Sequence, residues 1–181
     1  MQASAKNPPP DRKRSAVSRV RGIRVTSSRQ FQIREARRHD VPAMAALIEE
    51  FARYMRELGD TTDLRLDADA LIRDGFGPDP AFRGLLAELS GEVVGFLLHH
   101  PGYDTDAACR LLFVVDLYVT ERVRGLGIGA ALMQEAAKMA IAGGAKQLVW
   151  TVDRRNALAR RFYAGIGARY VEGLDLMYVD V

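Results

Sequence analysis

The stretch Val119-Thr-Glu-Arg-Val-Arg-Gly-Leu-Gly-Ile-Gly-Ala-Ala-Leu132 carries the clearest chemistry in the chain. An apolar run leads through a short polar loop into Gly125, Gly127 and Gly129, and then into a helical pattern. Glycine has a free φ, so successive backbone N–H groups can converge. Convergent donors at a helix N-terminus form an anion nest, which the helix dipole strengthens. Arg124 adds a fixed charge beside it. This arrangement suits a diphosphate. A glycine turn that only permits close packing is the plainer alternative.

Other residues are of types that can move protons, although spacing alone reads Tyr163 as a core aromatic beside Phe162 and Asp116 equally as a strand acid facing solvent or an arginine. Asn156 and Tyr163 lie seven positions apart, which on a helix puts them on one face two turns apart. Asp116 interrupts an apolar strand pattern. His99 and His100 end a strand pattern and titrate near neutrality, though a structural place at a loop edge explains them as well. Cys109 falls in the polar loop Pro101–Arg110 and is not read as a nucleophile. A single cysteine excludes an internal disulfide and a cysteine-clustered zinc site. No metal site is expected.

The order of elements shows what could position these groups. Phe31-Gln-Ile-Arg reads as a short strand, followed by a helix that Asp40 caps. Met44, Leu47, Ile48, Phe51, Met55 and Leu58 form its apolar face. Asp67–Asp74 reads as a second short helix. Gly84–Leu89, Val93–His100 and Leu111–Thr120 read as strands, and Gly127–Ala142 as the third helix. Lys146–Val152 is a strand and Ala157–Ala164 a helix. Short strands near Arg169–Val171 and Leu176–Val179 close the chain. The class is α/β with one mixed sheet.

Gly125, Gly127 and Ala130 also fit the dinucleotide pattern G-x-G-x-x-A, with Asp153 as the ribose-binding acid. That pattern needs its first glycine directly after the strand, near the start of a domain. Here Thr120–Arg124 intervene, three or more strands precede the loop, and only 52 residues follow Gly129. The dinucleotide reading is rejected. No Gly-Lys-Ser/Thr follows the glycines, which excludes a P-loop.

The 181 residues suit one domain, and 48% hydrophobic with 27% charged residues is ordinary for a globular chain. No apolar run approaches the ~20 residues needed to span a bilayer. No stretch has the apolar core of a secretory signal, and a cytoplasmic setting is expected. Residues 1–29 hold eight basic side chains and one acid, a balance of +7. The other residues carry 18 basic and 22 acidic side chains, a balance of −4. We expect 1–29 to be a basic tail without fixed structure, and 30–181 to be one folded domain. A nucleic-acid arm or a targeting peptide remains an alternative for the tail. The acidic remainder favours a cationic partner over nucleic acid.

Arg124-Gly-Leu-Gly-Ile-Gly129 resembles the R-x-x-G-x-G/A signature of the GCN5-related N-acetyltransferases (GNAT). Asn156-Ala-Leu-Ala159-Arg-Arg-Phe162-Tyr163-Ala-Gly-Ile-Gly167 is similar to that family's N-x-x-A-x-x-F-Y-x-x-x-G segment. Leu71-Ile-Arg-Asp74-Gly-Phe-Gly77, Val94-Gly95-Phe96 and Leu112–Gly129 resemble its diamine (spermidine/spermine) branch. The resemblance covers about residues 31–170.

The resemblance implies a GNAT-like mixed, mostly antiparallel sheet of about six or seven strands, flanked by about four helices. The fourth and fifth strands would splay apart to admit acetyl-CoA. Leu117, Tyr118 and Val119 would pair with the pantetheine arm through their backbone. Arg124, Gly125, Leu126, Gly127, Ile128, Gly129 and Ala130 would hold the pyrophosphate, and Asn156 and Ala159 would line the far side. Tyr163 matches the tyrosine that protonates the departing CoA thiolate.

The acceptor would be a small amine, attacking directly without an acyl-enzyme. An amine of pKa ~10.4 is neutral in about one molecule in 2,500 at pH 7, a handicap of ~4.6 kcal/mol. The diamine branch carries Glu-Asp in its fourth strand for this task. Here the pair is Val115-Asp116, so Asp116 is the candidate carboxylate. An amino acid, aminoglycoside or protein amine is the alternative acceptor. A non-catalytic CoA sensor with a nucleic-acid-binding tail is the alternative of another class. Glu57, Asp60 and Asp63 are a candidate acidic lip. Arg154, Arg155, Arg160 and Arg161 are candidates for the CoA 3′-phosphate. A homodimer is expected.

Overall fold

The computed structural model describes residues 31–179, so the basic stretch 1–29 lies outside the described residues. β1 (Phe31–Glu35) runs into a 3₁₀ turn and then α1 (Val41–Glu57). Asp40 does not cap α1 as expected. It is 5% exposed; its carboxylate accepts the Arg37 N–H at 2.8 Å and both Arg34 guanidinium nitrogens at 2.7 and 2.8 Å. The Arg34 cation holds this carboxyl below the usual carboxylate range. The pair fastens the exit of β1 to the start of α1.

The expected second helix is a single turn, α2 (Ala68–Ala70), opened by Asp67 accepting the Ala70 N–H, and it passes into a π turn through Gly75. Next come β2 (Arg83–Leu89), β3 (Glu92–Asp104) and β4 (Cys109–Val119). α3 (Ile128–Ala142), β5 (Ala145–Val149) and α4 (Ala157–Gly165) follow. The polar loop expected over Pro101–Arg110 shrinks to residues 105–108, because β3 and β4 stay paired out to Asp104 and Cys109. Its polarity is that of an exposed hairpin tip.

The sheet order is β1-β2-β3-β4-β5. The first three pairings are antiparallel, and β4 pairs with β5 in parallel through the α3 crossover. Its two faces bury separate cores. One packs Leu85, Leu97, Leu112 and Val114 against Ile128, Leu132 and Ala136 of α3. The other packs Leu86, Phe96, Leu98 and Tyr118 against Met44, Leu47 and Ile48 of α1 and Leu71 beyond α2. Each such side chain contributes ~1.5–3 kcal/mol on leaving water.

The sheet has five strands among the described residues, not six or seven. The segments near Arg169–Val171 and Leu176–Val179 pair with nothing described, and Leu174, Leu176, Met177, Tyr178 and Val179 are 74–89% exposed. Alternation marks a segment that fits a pleated surface; it does not supply the edge it pairs with. The outer edge of β5 is correspondingly open.

Candidate active site

β4 and β5 stay in register only through Phe113 and Val149. Beyond that rung β4 continues for six residues, from Val114 to Val119, with β3 on one side and, among the described residues, no strand on the other. Leu98 pairs with Asp116 while His99 pairs with Val114, so Val115 is an extra residue. A bulge bends its strand and increases the local twist. It lies just past the last shared rung, where β5 itself ends at Val149. The expected splay between the fourth and fifth strands is this opening.

The bulge also resets which side chains face which core. Before it, Leu112 and Val114 pack on the α3 side. After it, Leu117 and Val119 take that side, while Tyr118 joins the α1 side. Strand alternation puts Asp116 on the face of Tyr118. Val115, where the diamine branch has an acid, is 38% exposed at the bulge.

The glycine loop sits at the end of this free stretch. Gly125 and Gly127 have φ of +83° and +85°, values an L side chain adopts only under strain. Gly127 is the N-cap of α3 and provides no side-chain cap. The first amides of α3, from Ile128 through Ala130, therefore have neither an intrahelical acceptor nor a capping side chain. That is the donor set a diphosphate needs. Gly129 serves differently: it faces α4, where a Cβ would meet the Phe162 ring at 3.4 Å, the near edge of ordinary van der Waals contact.

Arg124 stays at the root of the loop, but its head turns inward. Its Nε donates to the Val119 carbonyl at 3.0 Å, and its guanidinium lies over Tyr54 at 4.6 Å and Tyr118 at 5.6 Å. The Val119 carbonyl, expected to face pantetheine, is thereby engaged. A cavity of about 440 Å³ opens here, lined by Tyr54 and Tyr118 with Glu50, Glu57, Arg122 and Arg124 among its charged residues. Asn156 caps α4: its Oδ1 accepts the Ala159 N–H and the Tyr54 hydroxyl, each at 2.9 Å.

Tyr163 projects from α4 onto the α3-side core. Its ring centroid lies 4.9 Å from Trp150, the first residue past β5, and 5.1 Å from Phe162. Burial in this aromatic setting, together with the nearby Asp116 carboxylate, pushes the phenol up to about 12. Burial likewise raises Asp116 above the usual carboxylate range. Asp116 has no ion pair or hydrogen bond with the described side chains that would offset that desolvation. Asp116 lies on the α1 side of the sheet and Tyr163 packs on the α3 side, close enough for the carboxylate to act on the phenol electrostatically.

The remaining candidates separate. Asp60 accepts the Thr62 N–H at 3.0 Å and lies 3.9 Å from Arg155, while Glu57 lines the cavity. Arg155 is held by Asp153 and the Gly59 carbonyl, and Arg160 donates to Tyr170 at 2.8 Å. His99 lies inside β3, not at a loop edge, and is 3% exposed with both ring nitrogens unpartnered. Cys109 is 4% exposed at the start of β4, not in a loop. Tyr54 and Trp150 were missed in the sequence. Tyr54 lies three residues after Phe51 on the apolar stripe, and Trp150 is the only tryptophan.

Residues 44–168 match the Acetyltransferase (GNAT) family, and the chain belongs to it. It is an N-acetyltransferase near the family's polyamine branch. It is 34% identical over 154 residues to the human spermidine/spermine N(1)-acetyltransferase-like protein 1, covering 81% of this chain but only 22% of that protein. It is also 34% identical over 145 residues to the bovine thialysine N-epsilon-acetyltransferase, covering 76% of this chain and 83% of that protein. In fold it resembles the integron cassette protein VCH_CASS6 of V. cholerae, with a TM-score of 0.70 and 24% identity. That match covers 83% of this chain and 93% of the other.

Proposed function

We propose that this chain transfers the acetyl group of acetyl-CoA to a primary amine of a small polyamine- or diamine-like molecule. One observation carries the reading: a desolvated, unpaired carboxyl at Asp116 and a protonated phenol at Tyr163 share the opening between β4 and β5. A buried carboxylate without a counter-ion is costly, and an ammonium beside it offsets that cost. The two named relatives also favour a basic, amine-bearing acceptor.

The residues fit acetyl-CoA as cosubstrate. Amides from Gly125 to Ala130 would hold its pyrophosphate. The free side of β4 at Leu117 and Tyr118 would take the pantetheine arm as an added strand. Asn156 and Ala159 would line the opposite rim. The acceptor nitrogen attacks the thioester carbonyl directly; a C–N bond forms and the C–S bond breaks. The amine proton passes to Asp116, directly or through a water. The raised carboxyl is a stronger base than an exposed one.

Tyr163 is the donor to sulfur. Its phenol at about 12 keeps its proton throughout the neutral range. Complete transfer to a free thiolate of pKa ~8.5 would be uphill by ~5 kcal/mol. The phenol therefore works first as a hydrogen-bond donor, strengthening as charge grows on sulfur.

We also infer a homodimer; the exposed apolar stretch from Tyr170 to Val179 and the open edge of β5 support it. The acceptor is tested by following thiol release from acetyl-CoA with spermidine, putrescine, lysine, an aminoglycoside and a peptide amine. Fastest turnover with the polyamines is expected. Preference for the peptide or the aminoglycoside would replace this acceptor. Binding of acetyl-CoA without turnover of any amine would favour the sensor.

A further inference from the structure

We propose that Tyr54 is a positioning residue for the acyl-CoA cleft, tying its two rims together through Asn156 and Arg124; the inference rests on the acetyl-CoA reading above. One rim is the end of β4, where the chain enters the glycine loop at Arg124. The other is the end of β5, where it enters α4 at Asn156. Beyond Phe113 and Val149 no strand pairing joins them. Tyr54 belongs to neither. It projects from α1, which packs on the sheet face beneath, and its side chain touches both rims.

The contacts divide by chemistry. The Tyr54 hydroxyl donates to Asn156 Oδ1 at 2.9 Å, across 102 residues of sequence. Its ring lies under the Arg124 guanidinium at 4.6 Å and packs 6.3 Å from the Tyr118 ring. The body is held by apolar and aromatic neighbours, and only the polar tip reaches across.

The bond to Asn156 has a consequence for the cleft. Asn156 Oδ1 already accepts the Ala159 N–H at 2.9 Å, which identifies it as the oxygen. With the Tyr54 bond both its lone pairs are used. The carboxamide then has only its two Nδ2 donors left to offer, so it can recognise a carbonyl and not an N–H. A pantetheine arm, with two amide carbonyls, meets that requirement. The ring contact and the Val119 carbonyl likewise hold the Arg124 cation at the loop root before any anion arrives.

The test compares the full chain with Tyr54→Phe and Tyr54→Leu, by acetyl-CoA calorimetry well below each melting point and by steady-state kinetics. Tyr54→Phe keeps the ring and loses only the hydroxyl. It is expected to raise Kd and KM for acetyl-CoA about three- to tenfold, the size of one lost hydrogen bond. Its kcat and its KM for the amine stay within about twofold of the wild type, a split that general loosening of the fold would not give. Tyr54→Leu, which also removes the ring, weakens acetyl-CoA further. Unchanged acetyl-CoA affinity in Tyr54→Phe, or a loss falling on kcat, would overturn the proposal while leaving the acetyl-CoA reading intact. A wild-type chain that takes up no acetyl-CoA would overturn both.

Discussion

Tyr163 and Trp150 pack in a tilted pair with ring centroids 4.9 Å apart at 44°, which joins the proposed proton donor of α4 to the first residue beyond β5. The contact fixes the phenol at the place where the sheet opens, and the same apolar surroundings raise its pKa. Tyr163→Phe keeps this ring contact and removes only the hydroxyl. We expect kcat to fall about 10²-fold or more, with KM for acetyl-CoA within about twofold and no large change in melting temperature. Stopped-flow thiol release checks it. A kcat within about threefold of wild type would remove Tyr163 from the reaction.

Asp116→Asn should separate activity from stability. The folded carboxyl has a raised pKa, so the native state binds its proton more tightly than the unfolded chain does. Stability from this group is present below the unfolded value of ~3.9 and is lost as pH rises through the folded value. At pH 7.5 the variant should therefore melt higher than wild type while losing most of its kcat/KM. By pH 4 the difference in melting temperature should shrink. Melts at the two pH values, with rates at the higher one, read both effects. A variant that is both less stable and fully active would contradict the assignment.

Gly127→Ala puts a side chain where φ is +85°, though nothing lies within 4 Å of the new Cβ. The cost is backbone strain and not a clash, about 1–2 kcal/mol. Relief of that strain would turn the first amides of α3 away from the nest. Acetyl-CoA affinity should drop about tenfold or more, with a melting temperature only a few degrees lower. Calorimetry and thermal melts distinguish this outcome from a loop that serves packing, in which affinity would not change.

If two copies associate through the exposed stretch from Tyr170 to Val179, the full chain should sediment as a dimer at micromolar concentration. A chain ending at Ala168 should sediment as a monomer. A full chain that stays monomeric at about 50 μM, well above the micromolar range in which pairing is expected, would contradict the dimer.

The sequence was most readable where spacing alone carries the physics. The stripe through Met44, Leu47 and Ile48 is buried as read, and the α3 pattern through Ile128 and Leu132 likewise. Gly125 and Gly127 have the positive φ that their loop required. What could not be read depended on partners distant in sequence. No local pattern marks Val115 as a bulge, because a bulge is defined by the register of Leu98 and His99 opposite. Nothing local singles out Tyr54, because its hydrogen-bond partner Asn156 lies 102 positions away. Cys109 looked like loop because its polar neighbours form an exposed tip, yet its own side chain is covered. The last two expected strands have the right alternation and no partner in the described chain.

The account turns on acetyl-CoA entering the gap that opens past Phe113 and Val149. Isothermal titration of acetyl-CoA into the purified full chain tests this most directly. The expected result is saturable heat at one site per chain, accompanied by a rise in melting temperature. No heat and no melting shift up to millimolar acetyl-CoA would contradict it.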